Sequence, residues 1–514
     1  MGSPEIIQRY FGNESKTTLD PNASVQSVDD VKHPAQESTL QLFENEEPTD
    51  AQQWQPGVRD WLVFICIVIL AMMDAFDATV LIPMLPDLAN TFDEPFVSVL
   101  WINTAYLVLN AASQLYFTMM SDVFSHGAVW TIAVLPQPSG IGGGGAMSLC
   151  FVVMTESTPE HIQSRYSCYI LLTRIIGIMV GPVVGGLFID YAHWTWAFYF
   201  NFIFCALGML VIPFAVDLRV SKSIPLRKLR ILDWSGATMA FMGLGGILVG
   251  LSWGGISYRW NEWQTLVPIA VGVAVLIALL FYESTWALHP QFGSRVLGNP
   301  GIAMTYAGCF CHGFVIFCQL QFFTVFFIST KYLSTSLSGI ALLAISGLSI
   351  APAAVVGVVL ARESQCAKWI ISGVGFLQFL LPDAQFCHGL LLSSYNIQIQ
   401  SIPKEEGTAL STMPIIISNY MRTWGMAVAI PVGGVVFLSL FGRELHLAGL
   451  DRELINTAKG YIILMDQVKM PDEYREAIKD AAALALQGTW EVATGVAAVG
   501  GISSVVLWRR RCSA

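Results

Sequence analysis

Charge is scarce in this chain. Of its 514 residues only 12% are Asp, Glu, Lys or Arg, while 54% are hydrophobic and the mean hydropathy is +0.58. Soluble globular domains carry about 25% charged residues, so the shortfall excludes an ordinary soluble enzyme. Positive charge is scarcer still: 27 Lys and Arg against 37 Asp and Glu leave a net charge of −10. Without basic stripes there is no footprint for nucleic acid. The weakly alternating ten-residue segments of a membrane β-barrel are missing too. No Walker loop, HExxH pair or Ser-His-Asp set stands in a sensible context, and no polar segment is large enough for a nucleotide-binding domain. Primary pumping and hydrolytic chemistry are thereby excluded; no nucleotide, cofactor or metal is expected. The ten cysteines imply no disulfide framework. Cys66, Cys150, Cys168, Cys205, Cys309, Cys311 and Cys318 lie in or beside apolar runs, where free cysteine acts as a small hydrophobe. Cys309 and Cys311 point to different faces of one helix, so neither they nor the adjacent His312 read as metal ligands.

What the chain does have is apolar length. Fourteen runs follow one another, at about 61–83, 97–119, 127–135, 140–154, 169–189, 194–216, 233–254, 264–282, 301–328, 336–360, 367–381, 384–400, 411–440 and 488–508. Fourteen helices of about 20 residues need roughly 280, which the length supplies. Four runs are short and come as two adjacent pairs. One, at 127–154, is broken by Pro136-Gln137-Pro138; the other, at 367–400, is broken by Pro382-Asp383. Each pair is either two squeezed helices or one span with a re-entrant piece. Residues 1–58 are polar and acidic and read as a disordered tail with no cleavable signal. With every run crossing, Arg59, Arg165, the basic loop 217–232, Arg295, Arg362, Lys368, Lys404 and Arg509-Arg510-Arg511 share one side. The positive-inside rule makes that side the cytosol, with both termini in it. Loop 442–487, long and rich in both charge signs, is expected outside as an amphipathic cap.

Asp74 and Asp77 lie inside the first run. Intramembrane carboxylates are costly and mark functional sites by default, and at i, i+3 the two share a helix face. Two carboxylates so close do not both hold charge cheaply, which suits proton carriage; the rival reading is a helix-end position open to water. Gly177, Gly181 and Gly185 recur every fourth residue, with Pro182 and Gly186 among them, as small residues do where a second helix comes close. Gly140 to Gly145 matches G-x-G-x-x-G, but without a βαβ unit it reads as close helix packing. Polar residues within runs outline a substrate cavity: Asn103, Tyr106, Gln114, Gln319, Gln321, His388, Asn396, Gln400 and Arg422. Arg174 and Glu283 read as span ends near the cytosol.

Together these residues resemble the major facilitator superfamily, and within it the fungal fourteen-span drug:proton antiporters, the DHA2-type multidrug efflux pumps. Asp77-Ala78-Thr79-Val80 with Pro83 and Leu85-Pro86 resembles that group's first-span motif, and Gly177 to Gly186 its antiporter motif. Trp194 to Phe202 is similar to its W-R-W-I-F-Y-I-N segment. Leu251 to Gly255 with Trp260-Asn261 resembles the end of span seven, and His388 to Leu392 and Met421 to Met426 resemble late spans. The likeness covers roughly 60–510. Two motifs depart from it. In the gating motif between spans two and three only Asp122 survives, and Pro136 stands where the span-four motif has an arginine implicated in proton coupling.

The resemblance implies an all-α polytopic membrane protein of the superfamily's fold: two six-helix bundles, 59–216 and 291–514, with a basic linker and two inserted helices at 217–290. It implies proton-coupled export of small amphipathic compounds by alternating access, with Asp77 and Asp74 in proton coupling. The expected partners are a small-molecule substrate, protons and the lipid bilayer, for a monomer in the plasma membrane. Two other readings stay open: a facilitator or importer of the same fold, and a transport-defective or non-transporting relative.

Overall fold

The computed structural model describes residues 56–124, 126–136, 139–215, 233–255, 258–286, 300–360, 385–400, 408–450 and 472–509, with a few positions between 370 and 377. The acidic tail, the basic loop 217–232 and most of 361–384 lie outside the described residues. Helices begin where the sequence supplies caps and stop where it supplies breakers. Helix α1 (Val58–Val80) starts at Gly57, whose backbone N–H donates to Asp60 Oδ2 at 2.9 Å, and it gives way to a 3₁₀ turn, Ile82–Met84, at Pro83. Helix α2 (Leu85–Phe92) continues it and ends at Asp93 in the left-handed region, φ 53°. Helices α3 (Phe96–Val123), α4 (His126–Val134), α5 (Ile141–Ser157), α6 (Glu160–Tyr191) and α7 (Trp196–Ala215) complete the first half. Prolines precede α3 and α6 as N-caps.

Helices α8 (Trp234–Trp253) and α9 (Trp263–Thr285) pack on each other as a pair. The second half holds α10 (Pro300–Ser329), α11 (Thr335–Leu342), a π turn at Leu343–Gly347, α12 (Leu348–Leu360), α13 (Phe386–Gln400), α14 (Thr408–Leu447) and α15 (Asp472–Arg509). Among the described residues there is no β-strand. Among the described residues eight helical stretches are long and apolar enough to cross a membrane, including Val58–Phe92, Arg165–Tyr191, Pro300–Ser329 and Thr412–Leu447. Their outward faces carry Ile176, Phe202, Leu210, Val271, Ile277 and Phe281, all exposed, as a lipid-facing belt would.

At one place the sequence expectation is sharpened and at another it is corrected. Helix α4 has nine residues; at about 1.5 Å per residue it covers less than half of a bilayer's roughly 30 Å core. The short run at 127–135 is thus an abbreviated helix packed on α5. The last helix, by contrast, starts at Asp472, well inside the stretch expected to be loop 442–487, and α14 runs on to Leu447. The charges hid this helix. Glu476 and Asp480 face solvent while Ile478, Ala481, Ala482, Ala485 and Leu486 are buried behind them.

In the core, α1 lies between α6, α7 and α5; α10 lies between α14 and α15. The halves meet where α3 packs on α14 and α6 on α11. The inserted helix α8 sits against both α3 and α14, with Tyr116 Oη 2.8 Å from Thr238 Oγ1.

Candidate functional site

Asp74 sits in the C-terminal half of α1, 1% exposed, and the polar groups that bond its carboxylate come from other helices. Asn110 of α3 donates to its Oδ1 at 2.5 Å, and Arg174 of α6 reaches its Oδ2 at 3.3 Å. Tyr106 Oη donates to the Asp74 carbonyl oxygen at 3.3 Å. The glycines of α5 make this possible. Gly143 lies against Asp74 Oδ1, Tyr106 Oη and Asn110 Nδ2, and Gly144 against the Asn110 backbone, where a Cβ has no room. The glycine run that mimics a nucleotide loop therefore serves close packing, as its sequence context suggests.

The network continues across the two halves. Arg174 donates to Asn419 Oδ1 of α14; Asn419 Nδ2 donates to Gln114 Oε1 at 2.9 Å. Gln114 Nε2 in turn donates to Asn110 Oδ1 and to Thr423 Oγ1, both at 3.1 Å. A closed circuit of Asp74, Asn110, Gln114, Asn419 and Arg174 thus joins α1, α3, α6 and α14. Arg174 is 7% exposed and is no span end, which corrects the reading from sequence. The helix begins at Glu160, not near 169, so Arg174 lies deep within it. Glu283, by contrast, does lie near the C-terminus of its helix, α9. Asn110, Arg174 and Asn419 were missed for a common reason: their partners are far away in sequence. The one available signal was an arginine three residues before the glycine stripe.

Asp77 is different. It is 3% exposed and neither carboxyl oxygen has a hydrogen-bond partner. Asp74, Asn201 of α7, Tyr106 and Cys205 are polar groups that face it. Asn201 belongs to the segment 194–202 singled out by its resemblance, so that segment brings a polar group beside Asp77. An ionised carboxylate without donor or cation is costly in such surroundings, whereas the acid form carries no charge.

The glycine stripe of α6 fixes this geometry. Gly177 lies on the Met72 carbonyl, Gly181 on Thr79 and Gly185 on the Val80 carbonyl, so α6 and α1 touch backbone to backbone. Pro182 and Gly186 face the other way. Gly186 meets Thr335 and Ser336 of α11, and Gly339 meets Pro182.

The expected cavity residues divide into separate groups. Tyr106 and Gln114 belong to the Asp74 circuit. Gln319 Oε1 accepts from Gln385 Nε2 at 3.0 Å and lies 2.6 Å from His388 Nε2, in a buried cluster that His312 joins edge-on to His388. Asn396 donates to Cys168 Sγ at 3.4 Å and accepts from Gln400. Asn103 and Gln321 are buried, with no partner for either side-chain polar atom of Asn103 or for Gln321 Oε1. Arg422 is buried beside Cys309. Asp122 ends α3, its side chain outside the described residues.

The halves also touch at both ends of the helices. At one end Ser336 N–H donates to Asp190 Oδ2 at 3.0 Å and Thr335 Oγ1 donates to Asp87 Oδ2 at 3.3 Å. At the other, Thr155 and Thr412 hydroxyls lie 3.0 Å apart and Cys168 packs on Ile397. The Asp74 circuit lies between the two.

Residues 67–230 match the family model of the Major Facilitator Superfamily. MFS transporter L2 of Phoma sp. is 25% identical over 505 residues, covering 89% of this chain and 83% of its own. Efflux pump FUS6 of Gibberella fujikuroi is 23% identical, covering 77% of this chain and 78% of its own; MFS efflux transporter aclA of Aspergillus oryzae is 23% identical, covering 89% and 90%. The family match takes in Asp74, Asp77, Arg174 and the glycine stripe, and relatives named as transporters and efflux pumps are similar along most of the chain.

Proposed function

We propose that the chain is a secondary transporter that exports small amphipathic compounds by alternating access, in exchange for protons. The observation that carries this is the contrast along one face of α1: Asp74 is compensated by Arg174 and Asn110, whereas Asp77 has the neutral Asn201 beside it and no ion-pair partner among the described residues. Asp77 holds the transported proton in the closed arrangement and releases it when water reaches it from one side. The Asp74 circuit relays that change to α14, because Asn419 and Thr423 hang on the same hydrogen bonds. Substrate sits near the midplane between the halves, as in other transporters built from repeats.

In this reading residues 59–216 and 291–514 are the two moving bundles, 217–290 holds the linker and the inserted pair, and 1–58 is a cytosolic tail. Both termini are cytosolic, and the protein acts as a monomer in the plasma membrane. Relatives named as efflux pumps and efflux transporters favour the outward direction. Arg174 supplies a buried cation although Pro136 stands at the expected span-four arginine, which favours proton coupling over facilitation.

The test is Asp77→Asn in a fungal host stripped of its own efflux pumps, with accumulation of neutral, cationic and anionic amphipathic probes as readout. Wild type lowers accumulation of at least one probe and the variant, present in the membrane at equal level, does not. Equal export by both removes Asp77 from the mechanism, and export that ignores the pH gradient favours a facilitator.

A further inference from the structure

Among the described residues Arg422 is a buried cation without an anion. It lies 4% exposed near the middle of α14, and its Nε has no hydrogen-bond partner. The titratable groups that face it are Cys309, Tyr395, His312 and a second arginine, Arg174. None is a carboxylate. Among the described residues of α10 to α14 there is no Asp or Glu before Glu444, and the acids of the first half are taken up elsewhere: Asp74 by Arg174, Asp77 beside Asn201.

An isolated charge in a protein interior is costly unless it is paired, and a cation within a membrane protein that lacks a resident partner marks a binding site. The backbone makes room for this one. Gly313 of α10 packs directly on the Arg422 main chain and Cγ, and Gly308 on the Tyr395 hydroxyl. Beside it stands His312, which leads on to His388 and Gln319, polar groups that can orient a ligand but bring no carboxylate to the guanidinium.

We propose that the transported molecule is an organic anion, whose carboxylate or equally acidic group completes the charge balance at Arg422. This rests on the transport reading above. The planar guanidinium favours a carboxylate in two-point contact, and Val315 and Leu391, which line a small cavity with His312 and Tyr395, suit a hydrophobic body. The site is also wired to the first half. Asn419, one turn before Arg422, accepts from Arg174, so an anion between the two arginines bears on the Asp74 pair.

The test measures melting of the purified full-length protein in detergent, which needs no transport. A panel of aromatic and medium-chain carboxylates is compared, each with its primary amide, and with sodium chloride alone. Wild type is expected to be stabilised by members of the acid series and not by their amides. In Arg422→Gln, affinity for those acids falls by about thirtyfold or more, while Arg422→Lys keeps part of it. A second expectation needs no ligand: unliganded Arg422→Gln melts at or above the wild-type temperature, because an uncompensated charge has been removed. Equal effects of acid and amide, unchanged acid binding in Arg422→Gln, stabilisation by chloride alone, or a marked loss of unliganded stability in Arg422→Gln each overturns the anion assignment. Loss of export by wild type, measured separately in cells, would instead bear on the transport reading.

Discussion

One turn of α1 separates Asp74 from Asp77, yet their surroundings assign them opposite electrostatics. Asp74 and Arg174 form a buried pair, so breaking it from one side leaves a lone charge. Arg174→Gln is expected to cost about 3–5 kcal/mol of stability, and Asp74→Asn a similar amount. The double variant should lose less than the sum, because the two residues act on each other; thermal unfolding of the four proteins checks this, and simple additivity argues against the pair. Asp77→Asn removes no bond and should leave the melting temperature within about 0.5 kcal/mol of wild type while it stops export. At this scale the sequence exposed the two acids, because charge inside an apolar run is conspicuous. It did not expose Arg174, Asn110 or Asn419 as their ring of partners. Asn110 and Asn419 are ordinary polar residues whose meaning comes from other helices: Asp74 stands 36 positions from Asn110, and Gln114 305 from Asn419.

Among the elements, α6 is the most constrained. Its glycines let it lie on α1 at one face and on α11 at the other, so the four-residue spacing legible in the sequence is an interface on two sides. Gly177→Val thrusts side-chain atoms at the Met72 carbonyl and should prevent stable assembly or lower the yield of folded protein severalfold. Gly245→Ala is the internal control. Nothing lies within 4 Å of its added Cβ, and the replacement should be neutral or stabilise by up to about 1 kcal/mol. Melting temperature and membrane yield of the two variants decide between packing and mere helix propensity. The abbreviated α4 was also legible, because Pro136 and Pro138 cap an apolar run of nine residues. The start of α15 was not: a helix with charges on one face and alanines on the other looks like loop until burial is known.

For the whole molecule, contacts between halves at both helix ends, with the Asp74 circuit between them, describe a closed arrangement from which either side must open. Cross-linking should therefore block turnover at either end. Thr155→Cys with Thr412→Cys joins one end, where the hydroxyls are 3.0 Å apart. Asp190→Cys with Ser336→Cys joins the other. The eight described native cysteines are buried and in no disulfide, so the engineered pairs can be oxidised selectively. Oxidation of either pair should abolish transport and reduction restore it; transport that persists in an oxidised pair means that end does not open. The many-helix apolar architecture was legible from the apolar runs, and the close contact of α6 with α1 from its glycine spacing. The joining of both ends was not, since it depends on Thr155, Cys168, Asp190 and Thr335, residues of no special sequence pattern. The most direct test of proton-coupled exchange at Asp77 is flux in proteoliposomes, with an imposed pH gradient and an internal pH indicator, using a probe that the wild type exports in cells. The account predicts that the gradient drives probe uptake against its concentration, with matching proton movement, in wild type and not in Asp77→Asn. Gradient-driven uptake and proton movement that survive unchanged in Asp77→Asn would contradict it.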